Sequence, residues 1–322
     1  MEAVKPKTRE SYRRALRKFV KFVARYYDSP IVEAGDLDHA AACYLSHLAD
    51  DGVTGSVGAT FMSGLLHFLP EVHGSMPLMA RSLKSFRRLR PTAEGEGFSE
   101  EMWILLLAQL IAIDDEAFLV CATSVDCFMR GDEWEKLHTC ELHHALVGDR
   151  ETLSLHLPQT KCGVNEGVNV ERDWIRPLLV AHRSLRHRRG TRRRRMFGIA
   201  RSAYAHAWKQ ACDVYKLDRT PHAARHTGAT LAANGRLING FHSSEPLAQI
   251  QARGRWAVPS SVRRYAKPHV LARVNAVLTP LTIDWARKRL IQLDTLGRRC
   301  TLAKARVVLA DPPGRAAALK IL

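Results

Sequence analysis

The sequence has no apolar run long enough to cross a bilayer. Its longest, Trp103 to Ile113, holds eleven residues with Gln109 among them, whereas a span needs about 20. The opening segment MEAVKPKTRESYRR has basic residues with no apolar stretch behind them, so no secretory leader is expected. Cysteine is sparse: seven are scattered at 43, 121, 127, 140, 162, 212 and 300. That excludes a disulfide scaffold, and the odd count fits a reducing compartment. The densest metal-like group, His138, Cys140, His143 and His144, lacks the paired spacing of a structural zinc site. It reads as ordinary strand and turn residues, and no metal site is expected. Acidic residues are the other shortage: 32 against 49 Lys and Arg leave a formal charge of +17. Such an excess calls for a polyanionic partner, with nucleic acid first and an acidic membrane surface second.

What is present suits a globular chain. Its 322 residues allow two domains, and 46% hydrophobic against 25% charged residues can build a core. Between Lys5 and Arg25 lie nine basic residues and one acid, Glu10. Tyr12, Leu16, Phe19, Val20, Val23 and Tyr27 follow helical steps, which predicts a helix with a core face and a cationic back. Further helices are expected from Asp36 to about Ala49, from Thr54 to before Pro70, and from Pro77 to Leu89. The cationic positions Arg13, Arg17, Lys21, Arg81, Lys84 and Arg88 are candidate DNA contacts. No strand is expected before residue 90, so residues 1–92 read as an all-α domain. Residues 93–98 read as a turn-rich linker and 99–322 as a second domain.

In the second half Ser99 caps a helix, and another is expected from about Asp115 to Leu137. Short strands follow at Glu141–Leu146, Thr152–Leu157 and Val168–Arg172, separated by turns at Gly148-Asp149 and Lys161-Cys162-Gly163. From Pro177 to about residue 290 the pattern is helical. The whole reads as mainly α with a small antiparallel β-sheet. One tract, Arg183–Arg195, holds eight arginines. Its plain reading is a solvated, self-repelling loop, and its functional ones are phosphate contact or nuclear import.

Four strings carry the chemistry: Arg130-Gly-Asp-Glu133; Gln159-Thr160-Lys161; His222-Ala-Ala-Arg225-His226; and Gly254-Arg255-Trp256, with Tyr265 nine residues after the tryptophan. Each residue alone has a bland reading, as a surface charge, a helix start or a core ring. Their shared order and spacing do not. Together they resemble the tyrosine recombinase (phage integrase) family of DNA breaking and rejoining enzymes. The resemblance covers about residues 96–275. It implies Arg130 as the first arginine, Lys161 as the hairpin lysine, and His222 and Arg225 as the H-x-x-R pair. His226 takes the basic position behind them, Trp256 the His/Trp position, and Tyr265 that of the nucleophile. It also implies a DNA-clamping first domain, duplex DNA as partner, and a homotetramer on paired sites, without a membrane, metal or cofactor. The location would be nuclear in a eukaryote and otherwise cytoplasmic.

The residue types suit that chemistry. A phenol with pKa near 10 is a poor nucleophile at neutral pH, unless the phosphoryl transition state is held electrostatically. Two guanidiniums can grip the non-bridging oxygens and never lose charge. A lysine can protonate the leaving 5′-oxygen, a histidine can accept the tyrosine proton, and an indole N–H can donate to phosphate. The expected activity is strand exchange or integration through a 3′-phosphotyrosyl intermediate, with transposition of a mobile element as its setting. Type IB topoisomerase-like relaxation and a degenerate DNA-binding protein are the alternatives. Two departures stand out. The stretch Gly235–Gln249 is longer than the family's usual connection, which would displace the helix carrying Trp256, and Arg255 breaks the usual Gly-His pair. After Tyr265, the apolar residues Leu271, Val274, Leu278, Leu290 and Leu293 allow a tail packed on its own domain or docked on a neighbour.

Overall fold

The computed structural model describes the chain apart from residues 1–3, 92–94, 148–149, 161–162, 188–193, 239–240, 264–267 and 321–322. The chain divides into two compact units, Met1–Glu94 and Gly95–Leu322. The first consists of α1 (Pro6–Tyr26), α2 (Ala34–Asp50), α3 (Gly55–Phe68) and α4 (Pro77–Leu89). Phe19, the one fully buried residue of α1, meets Phe61 at 4.9 Å between ring centroids, and Phe61 meets Tyr44 at the same distance. Asp38 is buried, yet its carboxylate accepts the N–H groups of Leu78 at 2.9 Å and Met79 at 2.8 Å. A side chain of α2 thus satisfies the orphan donors that open α4. The remaining faces of α1 and α4 are exposed and basic.

The second unit is built around α5 (Glu100–Ile113), an almost wholly buried helix opened by the Ser99 hydroxyl accepting from the Met102 N–H. Asp114 likewise caps α6 (Asp115–Asp126) through the Ala117 N–H at 2.8 Å. The single helix expected to Leu137 is in fact two. Phe128 takes a left-handed φ of 49°, the chain turns, and α7 (Gly131–Lys136) starts afresh. Only Cys127, Phe128 and Met129 separate Asp126 from Arg130, a gap too short for periodicity to show. The sheet follows: β1 (Leu142–Val147), β2 (Arg150–Gln159) and β3 (Val164–Asn169), antiparallel in that order. The third strand begins earlier than expected, with Leu155 opposite Val168 and Gln159 opposite Val164.

Then come α8 (Ile175–His187), α9 (Arg201–Val214) and α10 (Ala223–Asn234). A hairpin of β4 (Arg236–Ile238) and β5 (Phe241–Ser243) interrupts the region expected to be helical. The chain ends with α11 (Leu247–Gly254), α12 (Pro259–Arg263), α13 (Pro268–Ala276), α14 (Pro280–Leu296), α15 (Leu302–Val308) and α16 (Arg315–Ala318). Trp103, Trp174 and Trp208 anchor the core. The tail packs on its own unit: Leu278, Leu290 and Leu293 are buried there, and Leu278 pairs with Leu319 in an isolated antiparallel bridge. The architecture is mainly α with one small antiparallel sheet.

Candidate DNA-cleavage site

The R-x-x-E spacing reflects a helix start. Arg130 is the N-cap residue of α7, in extended conformation, and Glu133 stands at the third helical position. One Glu133 oxygen accepts the Arg130 backbone N–H at 2.8 Å, and the other accepts the Arg130 Nη1 at 2.6 Å. A carboxylate three residues on thus holds both the turn and the guanidinium that the turn presents. Burial alone would raise the Glu133 pKa, but the Arg255 charge, the Arg130 hydrogen bonds and the Arg225 charge outweigh it and hold the carboxyl below its usual range.

Arg225 comes from the first turn of α10 and is fully buried. Its two amino groups donate to the carbonyls of Phe128 and Gly254, which fix the guanidinium plane between two distant segments. The Trp256 ring lies over it, with the Arg225 carbon 4.4 Å from the ring centroid. This close cover depends on two glycines. A Cβ on Gly254 would lie 1.7 Å from the Trp256 ring, and one on Gly228 would lie 2.0 Å from the Val125 carbonyl oxygen. Gly228 therefore lets α10 approach the end of α6, and Gly254 lets the indole fold back.

His222 caps α10 at its N-terminus. Desolvation, then the charges of Arg225 and Arg130, hold its imidazole below the ordinary pKa of 6.5, against an opposing pull from Glu133. A cavity of about 300 Å³ opens beside it, lined among others by Gly131, Trp134, Arg201, Tyr204, Pro221 and His222. His226 packs edge-on to His222 at 5.0 Å and is buried; a Cβ on Gly95 would meet its ring. That places His226 in the packing and not on an open surface.

The long stretch 235–249 does not push Trp256 away. Its hairpin is clipped to the core: Glu245 accepts Arg236 at 2.6 Å and Arg253 at 2.7 Å. Both arginines also pair with the buried Asp126, at 3.5 and 3.6 Å. The extra chain is thereby stored as a side hairpin, and α11 delivers Trp256 onto Arg225.

Arg130, His222, Arg225 and Trp256 are therefore brought together from segments far apart in sequence. Lys161 and Tyr265 lie outside the described residues. Two other tyrosines, Tyr204 and Tyr215, are buried, and burial raises both phenol pKa values, Tyr204 strongly. The Tyr204 hydroxyl is out of solvent, and that of Tyr215 is bonded to Gln109 and the Pro313 carbonyl. In the first unit, Arg13, Arg17 and Lys21 on α1 and Arg81, Lys84 and Arg88 on α4 are all exposed. Sequence reasoning passed over Arg201, exposed at the start of α9 beside Gly131, whose signal was only a basic residue opening a helix. It also took Arg255 for a mere departure, although its side chain pairs with Glu133 at 2.7 Å. Among the described residues, no group of three or more His, Cys, Asp or Glu is arranged to hold a metal. None of their helices is long and apolar enough to cross a membrane.

Solved structures share this architecture. A lambda integrase (75–356) dimer bound to a COC′ core site superposes with a TM-score of 0.58 at 12% identity, covering 83% of this chain and 90% of that one. The XerH site-specific recombinase on palindromic difH substrate, a post-cleavage complex, also gives 0.58 at 15% identity, covering 80% and 75%. No family model and no curated protein sequence matches the chain. The fold is that of the tyrosine recombinases. It is held here by a sequence that shares few residues with the solved examples.

Proposed function

We propose that the chain is a site-specific DNA recombinase or integrase that cleaves and rejoins strands through a 3′-phosphotyrosyl intermediate. The observation that carries this reading is the convergence of Arg130 and Arg225 on His222, with the Trp256 ring over Arg225. In the proposed step the Tyr265 oxygen bonds to phosphorus and the P–O5′ bond breaks. Arg130 binds the non-bridging oxygens, the buried Arg225 adds its charge from behind, Lys161 protonates the leaving 5′-oxygen, and neutral His222 accepts the tyrosine proton. Trp256 covers Arg225 and offers its indole N–H. Joining reverses the step, with the bond energy kept in the phosphotyrosine.

Residues 1–92 would contribute the exposed cations of α1 and α4 as a DNA clamp, and 99–322 the chemistry. The solved neighbours include dimers on DNA, and a tetramer on paired sites is the assembly proposed here. A mobile element is the setting that strand exchange of this kind would serve, with action in the nucleus if the host is eukaryotic. The test is incubation with nicked duplexes carrying candidate terminal repeats, followed by a denaturing gel. A covalent protein–DNA band supports the reading. Relaxation of supercoiled plasmid by the monomer, without exchange between sites, would favour the topoisomerase alternative. Binding with no adduct on any nicked duplex would leave only a DNA-binding protein of this fold.

A further inference from the structure

Arg255 occupies a backbone conformation that normally belongs to glycine. It follows α11 with φ 55° and ψ 47°, the left-handed region, where the Cβ of an L residue crowds its own backbone. A bulky cation is nonetheless placed there and buried, so its side chain must return something that glycine could not. Its Nη2 donates to Glu133 at 2.7 Å and to the Phe128 carbonyl at 3.2 Å, and its Nη1 to the Arg253 carbonyl at 2.9 Å. Its own carbonyl accepts the Arg130 Nη2 at 3.3 Å. The Nε faces a second carboxylate, Glu166, at 3.7 Å.

Glu166 lies on β3 and governs the hairpin end. Its carboxylate accepts the Thr160 hydroxyl at 2.7 Å. Thr160 in turn clasps Gly163: its N–H donates to the Gly163 carbonyl at 2.9 Å, and its hydroxyl accepts the Gly163 N–H at 3.1 Å. Residues 161 and 162 are the two that this clasp encloses in sequence. One guanidinium thus meets the carboxylate that holds Arg130 and the carboxylate that holds Thr160, the residue before Lys161.

We propose that Arg255 is a positioning residue that ties the Arg130 turn and the Lys161 hairpin to one anchor, setting the transition-state clamp and the proton donor in register. This rests on the roles proposed above for Arg130 and Lys161. A lysine would not replace it, because a single ammonium cannot serve two carboxylates and two carbonyls with a planar fork.

The variants are Arg255→Gly, which the left-handed backbone accepts without strain, and Glu166→Gln, which alters only a half-buried side chain at the hairpin end. The paired substrates are nicked duplexes with either oxygen or sulfur bridging to the 5′-carbon at the scissile phosphate. Sulfur leaves as thiolate and needs no proton, so it restores cleavage when the proton donor is misplaced and not when Arg130 is. Arg255→Gly should bind duplex within about 3-fold of wild type, cleave the oxygen substrate about 100-fold more slowly, and recover most of that loss with sulfur. Glu166→Gln should lose about 10-fold and recover all of it. Unchanged oxygen cleavage by Arg255→Gly, or equal losses on both substrates, overturns the proposal. If Arg255→Gly does not fold, the same comparison on Glu166→Gln decides it.

A second readout needs no cleavage. The Thr160 and Gly163 amides should exchange hydrogen at least about 10-fold faster in Arg255→Gly, while Leu231 on α10 stays protected. Unchanged exchange at the hairpin overturns the tie even if the wild-type chain forms no adduct. A wild-type chain without adducts sinks only the functional reading.

Discussion

His222 is the residue whose chemistry depends most on its neighbours. An imidazole accepts a proton only above its pKa, and desolvation with the Arg225 and Arg130 charges keeps that pKa below 6.5. His222 is therefore neutral across the neutral range and gains charge only in more acid solution. Single-turnover adduct formation should decline in acid with a midpoint below 6.5; a decline centred at or above that value would show that the surrounding charges do not act on it. Tyr265→Phe removes one hydroxyl, so adducts should vanish while duplex binding stays within about 3-fold. With Tyr204 and Tyr215 buried, no other tyrosine considered for the role could restore them, and adducts at wild-type level in that variant would refute the assignment. Gly254 has no room for a methyl group, its Cβ position lying 1.7 Å from the Trp256 ring. Gly254→Ala should cost about 2 kcal/mol in a denaturant melt and lower cleavage, because the indole must lift off Arg225.

Among elements, the β4–β5 hairpin is the least expected, and its clip is testable. Glu245 is shared by Arg236 and Arg253, and desolvation already lowers the Arg236 pKa, so these guanidiniums depend on their carboxylates. Glu245→Gln should cost about 3 kcal/mol of stability by chemical denaturation, with loss of cleavage as α11 loosens. A shift under about 0.5 kcal/mol would mean that Asp126 alone suffices. This element also shows where sequence reading stops. Three-residue strands of mixed polarity carry no alternation, and their value lies in contacts to Asp126, more than a hundred residues away. The R-x-x-E turn was legible because its partners are three residues apart on one helix start, and the H-x-x-R pair because it opens one. The first helix was legible from its apolar spacing, and the next three from the cap, turn and proline residues that bound them. The break after α6 was not, since it spans only a few residues around the left-handed Phe128, and nothing local announces that its carbonyl will receive Arg225 and Arg255. Arg255 looked like an anomaly for the same reason: its meaning is set by Glu133 and Glu166 and not by its neighbours in the chain.

For the whole molecule, the charge excess and its placement decide how DNA would be held. The formal charge of +17 is not spread over every basic face, because many arginines are spent internally. Arg172, for example, is buried with Glu100 and Asp294, its guanidinium 4.9 Å from the Trp103 ring centroid. The cations left at the surface of the first unit include Arg13, Arg17 and Lys21 on α1 and Arg81, Lys84 and Arg88 on α4. Arg13 and Arg17 approach Glu10 only at 3.8 Å, an exposed pairing that a phosphate would readily displace. Taken with their basic neighbours on α1 and with Arg130, they allow about eight phosphate contacts, for which log K should fall against log salt with a slope near −7. Replacing Arg13, Arg17 and Lys21 by glutamine should lower that slope by about 3 and weaken binding equally on cognate and random duplex, because phosphates carry no sequence. Titration of a labelled duplex at a series of salt concentrations measures both. A wild-type slope shallower than about −3 would mean that the α1 and α4 cations stay in solvent and that the second unit binds DNA alone.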